Sequence, residues 1–149
     1  MAIPGAFATL SGKWTGTKAV IEPDEPRHEG PCGATVGEAM QGQFLELRYD
    51  WSYEGTPQSG VLLLGMSDEA AKAAWFDSWH NAHTWMTLTG TLASPSSVDL
   101  RGSYPVDGGP DWGWRVVLTA GADAISVDMY NVTPEGEEMI GVEIRLGRA

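Results

Sequence analysis

Apolar and polar residues alternate with a period of two through one short segment of this chain after another. The segment 44–53 shows it best. Leu45, Leu47, Tyr49, Trp51 and Tyr53 share one parity, and Phe44, Glu46, Arg48, Asp50 and Ser52 share the other. Successive side chains of a strand point to opposite faces, so this is a strand with one apolar side. The same reasoning predicts strands over 13–22, 35–40, 44–53, 59–66, 72–79, 85–92, 98–104, 111–119, 124–132 and 139–146. A helical turn over 7–10 precedes the first. Glu54-Gly55-Thr56-Pro57, Ser94-Pro95-Ser96, Asp107-Gly108-Gly109-Pro110 and Pro134-Glu135-Gly136 read as turns. Residues 23–33 hold three prolines and two glycines and read as a loop. Ser67 suits a helix cap, but the run Trp75-Phe76-Asp77-Ser78-Trp79 prefers a strand, so a turn is predicted over 67–70. Residues 80–83 are a connection.

Ten short strands without a long helix make an all-β meander. A sheet that long must close or split to dispose of its edges. The expected architecture is a closed antiparallel up-and-down β-barrel of about ten strands, with residues 1–149 forming one domain. Such a small barrel either holds one ligand or fills with side chains.

Composition narrows the partners. The formal net charge is −11, and an acidic surface repels phosphate backbones and anionic headgroups. No nucleic-acid or membrane partner is expected. Cys32 is the only cysteine, so an internal disulfide is impossible. Residues 1–10 lack a basic, apolar leader, and no apolar run reaches membrane-spanning length. A cytoplasmic monomer or homodimer is the expectation.

The seven tryptophans change the picture more. Trp75 and Trp79 share strand parity, as do Trp112 and Trp114, the latter with Val116 and Leu118. If Trp75 and Trp79 point inward, Asp77 between them does too, as a ligand-orienting group or a general acid/base. The alternative is an outward face, or an Asp77 that bonds a neighbouring strand. Tyr49, Trp51, Trp75, Asp77, Trp79, Trp112 and Trp114 together form a candidate binding set for a small apolar or aromatic molecule. Their other reading is plain core packing. Trp85 shares a face with Thr87 and Thr89 and is expected outside.

Other candidates are weaker. His80 and His83 have metal-ligand spacing but no third ligand, and read as surface histidines; no metal or cofactor is expected. Cys32, in the predicted loop four residues after His28, reads as an exposed thiol with no evident partner. Glu46 with Arg48, and Glu143 with Arg145, read as solvated charged faces, or alternatively as an interior polar network.

Gly12-Lys13-Trp14 resembles the Gly-X-Trp motif of the calycin superfamily, which includes lipocalins, fatty-acid-binding proteins and nitrobindin-like barrels. The resemblance implies that an Arg from the last strand, Arg145 or else Arg148, packs across Trp14 as a cation–π pair and closes one end of the barrel. The order of elements is more specific: Leu10-Ser11-Gly12-Lys13-Trp14-Thr15-Gly16, then Met40-Gln41-Gly42-Gln43-Phe44-Leu45, then Gly65-Met66-Ser67-Asp68 ahead of Trp75-Phe76-Asp77-Ser78, then Gly136-Glu137-Glu138 and a final strand ending in Arg. That order resembles the bacterial domain-of-unknown-function family numbered 1579, over nearly the whole chain. It implies a lipocalin-like ten-stranded barrel and no established activity. Nitrobindin-like barrels hold heme through a His on a late strand. No His follows His83 here, so a similarly placed axial ligand is absent. The expected function is therefore binding of a small apolar or aromatic molecule in a Trp/Tyr-lined interior. The alternatives are a hydrolase or isomerase using Asp77, and a structural domain with a filled core.

Overall fold

The alternation closes on itself. The computed structural model describes residues 3–67 and 70–149, so Asp68 and Glu69, the centre of the turn predicted over 67–70, lie outside the described residues. A short helix α1 (Gly5–Ala8) is followed by β1 (Gly12–Val20), β2 (His28–Ala39), β3 (Phe44–Tyr53), β4 (Thr56–Ser67), β5 (Ala70–Asp77), β6 (Met86–Ser94), β7 (Ser97–Tyr104), β8 (Trp112–Ala120), β9 (Ala124–Val132) and β10 (Glu138–Arg148). Each strand pairs antiparallel with its neighbours in sequence, and β1 pairs with β10 to close the barrel. No helix of the described residues is long and apolar enough to cross a membrane.

Parity decides what lies inside. Leu45, Leu47, Tyr49 and Trp51 of β3 are buried, as are Val142, Ile144 and Leu146 of β10 and Ala71, Ala73, Trp75 and Asp77 of β5. The opposite faces carry charge. Arg48 meets Glu46, and Arg145 meets Asp128 and Glu143, all outside the barrel. Trp85 is 61% exposed, just ahead of β6.

Two segments depart from expectation. The predicted loop over 23–33 is half strand, because β2 starts at His28 and pairs with β1 from Val20↔His28 onward. Pairing of β2 with β3 starts only at Gly33↔Asp50. Pro31 thus lies on a locally free edge, where its missing N–H breaks no ladder. Cys32 is consequently buried in the barrel wall, 2% exposed, and not an exposed loop thiol. Burial pushes its pKa up to about 11, so it is a protonated core side chain at neutral pH. The second departure is that β5 ends at Asp77. The chain then makes a helical turn, with the Asn81 N–H bonded to the Asp77 carbonyl at 2.8 Å.

The α1 end of the barrel is plugged. Ile3, Phe7 and Leu10 are buried there. Trp14 is buried beside them, and its indole N–H donates to the Leu10 carbonyl at 2.8 Å. The guanidinium across its face belongs to Arg148, 4.2 Å from the ring centroid, and not to Arg145. Arg145 has outward parity on β10, whereas Arg148 continues the inward series Ile144, Leu146. Arg148 also donates to the Thr9 and Ser11 carbonyls at 2.6 and 3.1 Å, tying the chain's last strand to its entry segment. Gly16 makes the closure possible. A Cβ there would lie 1.8 Å from the Arg145 carbonyl oxygen, so no other residue lets β1 approach β10 this closely.

Candidate functional site

The opposite end is open. The strand ends β1, β5, β7 and β9 and the strand starts β6, β8 and β10 surround a cavity of about 420 Å³ that opens to solvent. Its aromatic wall is Trp75, Trp79, Trp114, Tyr104 and His80, with Met86 completing the apolar surface. Trp75 and Trp114 stack nearly parallel, with ring centroids 5.4 Å apart and an angle of 9° between their planes. They reach the wall by strand parity, from β5 and β8.

Trp79 reaches it differently. The helical turn after Asp77 carries Trp79 back over the mouth, where it packs against Tyr53 (4.6 Å between centroids) and edge-on to Trp51 (5.9 Å). The turn is held by Asp77 itself. One carboxylate oxygen accepts the backbone N–H groups of Trp79 and His80 at 2.9 and 3.0 Å, in the manner of a helix N-cap. The other accepts the Tyr49 hydroxyl at 2.6 Å, and that hydroxyl accepts the Trp75 indole N–H at 2.9 Å. Burial and the Asp77 carboxylate raise the Tyr49 pKa well above its ordinary value, so the phenol keeps its proton. Gly60 gives Tyr49 the room, since a Cβ there would sit 2.2 Å from the phenol ring.

Asp77 is therefore inward and 2% exposed, but it does not line the cavity. Its hydrogen bonds go to the protein. It does not lie between two indoles of one strand, because β5 ends at Asp77 and Trp79 stands on the turn that follows. Tyr49 and Trp51 lie behind the wall, and half-buried Trp112 is outside the cavity lining. Of the seven candidate residues, the structure brings Trp75, Trp79 and Trp114 to the cavity.

Two residues outside that candidate set also bear on the site: His80 lines the cavity, and Lys18 lies behind it. Lys18 is 2% exposed, yet among the described residues it has no carboxylate within ion-pair distance. Its ammonium sits 3.2 Å from the centroid of the Trp51 ring and 3.2 Å from His80 Nε2. Burial lowers its pKa to about 8, with the Asp77 charge pulling the other way, so the amine is mostly protonated at neutral pH. His80 is a wall residue and not a surface histidine. Burial first, and the Lys18 charge second, lower its pKa to about 3, so it is neutral. His83 is exposed. Parity held the signal for Lys18, because with Trp14 inward, Gly16, Lys18 and Val20 follow it inside. For His80 no periodic signal existed, because it stands on the turn.

The arrangement carries costs. Among the described residues, the indole nitrogens of Trp51 and Trp114 are buried without a hydrogen-bond partner. Each such orphan costs about 1–3 kcal/mol. Near the wall, the Tyr104 hydroxyl donates to Asn131 Oδ1 at 2.6 Å.

The family described as "Protein of unknown function (DUF1579)" matches residues 5–148. The chain belongs to this family. DUF1579 membership thus covers α1, the plug, all ten strands and the cavity. Among solved structures, Rv2717c from M. tuberculosis is similar across 100% of this chain and 99% of its own, with a TM-score of 0.71 and 14% sequence identity. At that identity the likeness speaks for the barrel fold of this DUF1579 chain and for nothing finer. Among curated proteins, none matches.

Proposed function

We propose that this DUF1579 barrel is a calycin-type binding protein that takes a small, largely apolar or aromatic molecule into the open mouth. The observation that carries the reading is the 420 Å³ cavity walled by Trp75, Trp79 and Trp114. Its size lies within the range of small-molecule pockets, and its lining combines aromatic surface with a few polar groups. The calycin kinship is supported by the plug, in which a Gly-X-Trp tryptophan lies under an arginine of the last strand. The buried Lys18 and the two unpartnered indoles support the same reading. A barrel selected only for stability has little use for a buried ammonium that no carboxylate pairs.

Intrinsic tryptophan fluorescence, followed across a panel of aromatic metabolites and fatty acids, tests the proposal. At least one compound is expected to shift the emission saturably, and a crystal structure of that mixture to show it against Trp79. Flat emission across the panel, together with a crystal structure whose mouth is filled by side chains, overturns it.

A further inference from the structure

The polarity of the cavity follows from which atoms the protein has already used. A neutral imidazole has one N–H donor and one acceptor nitrogen. His80 is neutral, and the Lys18 ammonium, which can only donate, lies 3.2 Å from its Nε2. Nε2 is therefore the acceptor, and the ring proton is on Nδ1. Among the described residues Nδ1 has no partner. Asn131 tells the same story from β9. Its acceptor Oδ1 is taken by the Tyr104 hydroxyl at 2.6 Å, which leaves the Nδ2 donors free. Two wall residues from different elements thus have an acceptor engaged internally and a donor that, among the described residues, has no partner.

We infer that the ligand of this mouth is a flat, conjugated molecule carrying a neutral carbonyl oxygen, received by the His80 Nδ1–H with help from Asn131, while Lys18 serves as the positioning residue that fixes the His80 tautomer. The inference rests on the binding function proposed above and specifies its ligand class. Flatness follows from the indole walls, which favour a conjugated ring. A carbonyl is an acceptor without a donor, so it matches the His80 Nδ1–H and the Asn131 Nδ2 donors, while Asn81 and Glu22 place acceptors elsewhere on the wall. Neutrality follows from Glu22, whose residue also lines the cavity, and from the net charge of −11. The ammonium behind His80 polarises the ring N–H and strengthens its bond to such an oxygen. The titratable groups that act on Lys18 are Asp77 and Cys32, and those that act on His80 are Lys18 and Asp77. Asp77 holds the His80 backbone and Cys32 is protonated, so neither competes for Nδ1.

The test has two parts on the wild-type protein and one on variants. Long-range 15N–1H spectra of the histidine rings at pH 7 are expected to show His80 as the neutral Nδ1–H tautomer. An Nε2–H tautomer or an imidazolium overturns the inference. Calorimetric titration with 1-indanone, indane and indane-1-carboxylate is expected to rank the ketone about tenfold tighter than the hydrocarbon, the effect of one good hydrogen bond. The carboxylate is expected to be weaker than the ketone. Equal binding of indanone and indane overturns the acceptor assignment while leaving the binding function intact. Tighter binding of the carboxylate overturns neutrality, and no binding of any probe overturns inference and function together. Lys18→Met is expected to move His80 toward the Nε2–H tautomer and His80→Phe to bring ketone and hydrocarbon within about twofold, each in a protein with unchanged circular dichroism. A wild-type ketone preference surviving in His80→Phe overturns the role of His80.

Discussion

Each end of the barrel holds a cation against an indole, and the two pairs are built differently. At the plugged end, exposed Arg148 covers buried Trp14; the indole N–H is satisfied by the Leu10 carbonyl, and the Arg148 guanidinium reaches the Thr9 and Ser11 carbonyls. At the open end, buried Lys18 lies on Trp51, whose N–H has no partner among the described residues, and the ammonium has only His80 beside it. The plug keeps its charge in water and its polar groups paired, which is how a stabilising contact is made. The mouth buries a charge and leaves donors unmatched, which stability alone does not favour. On the binding function proposed above, the difference sets the ligand at one end and folding at the other.

The largest effect belongs to the plug. Trp14→Ala is expected to remove about 3–5 kcal/mol of stability, read by urea unfolding, because it empties the space under Arg148 and frees the Leu10 carbonyl. A loss under 1 kcal/mol breaks the comparison at that end.

The mouth is expected to respond to pH where the plug does not. His80 has a pKa of about 3 folded against an ordinary value of 6.5. Between those values the unfolded chain takes up a proton that the folded protein refuses, so stability falls as pH drops from 6.5 toward 3 and is flat in this respect above 6.5. Relative to His80→Gln, the wild type is expected to lose on the order of 4 kcal/mol across that window. Parallel stability–pH curves for the two proteins refute the buried neutral imidazole.

The smallest effects differ in sign. Lys18→Met replaces a buried, unpaired ammonium with an apolar chain of similar length. It is expected to raise stability at pH 7 by about 1 kcal/mol, since replacing buried charge with apolar volume is often neutral or favourable. Arg148→Met is expected to lower it by about 0.5–1 kcal/mol, the range for an exposed cation–π pair. Equal losses from both variants, measured by thermal or urea unfolding, erase the distinction between the two cations.

Much of this architecture was legible in the sequence. Strict alternation in β3 sorts its residues into two faces without saying which is inward, and ten short apolar runs point to a closed meander. The Gly-X-Trp resemblance identified Trp14 as a plug. Parity also held information that distinguishes Arg148 from Arg145, because Glu143 and Arg145 face away from Ile144 and Leu146. The candidate site was less legible because part of it stands off the strands. Trp79 and His80 are placed by a helical turn that Asp77 caps, and period-two reasoning carried straight through that turn. Lys18 was readable from Trp14 by parity, but a lysine in a strand suggests solvent until the burial of its neighbours is known. Pairing with β1 drew residues 28–33 into β2 against their loop-like composition.

The central claim is that one end binds and the other only holds. The indole N–H signals of all seven tryptophans, followed in 15N–1H spectra while 1-indanone is added, test it most directly. The signals of Trp75, Trp79 and Trp114 are expected to move saturably while that of Trp14 stays fixed. A titration in which no indole signal moves, or in which Trp14 moves with the others, contradicts the account.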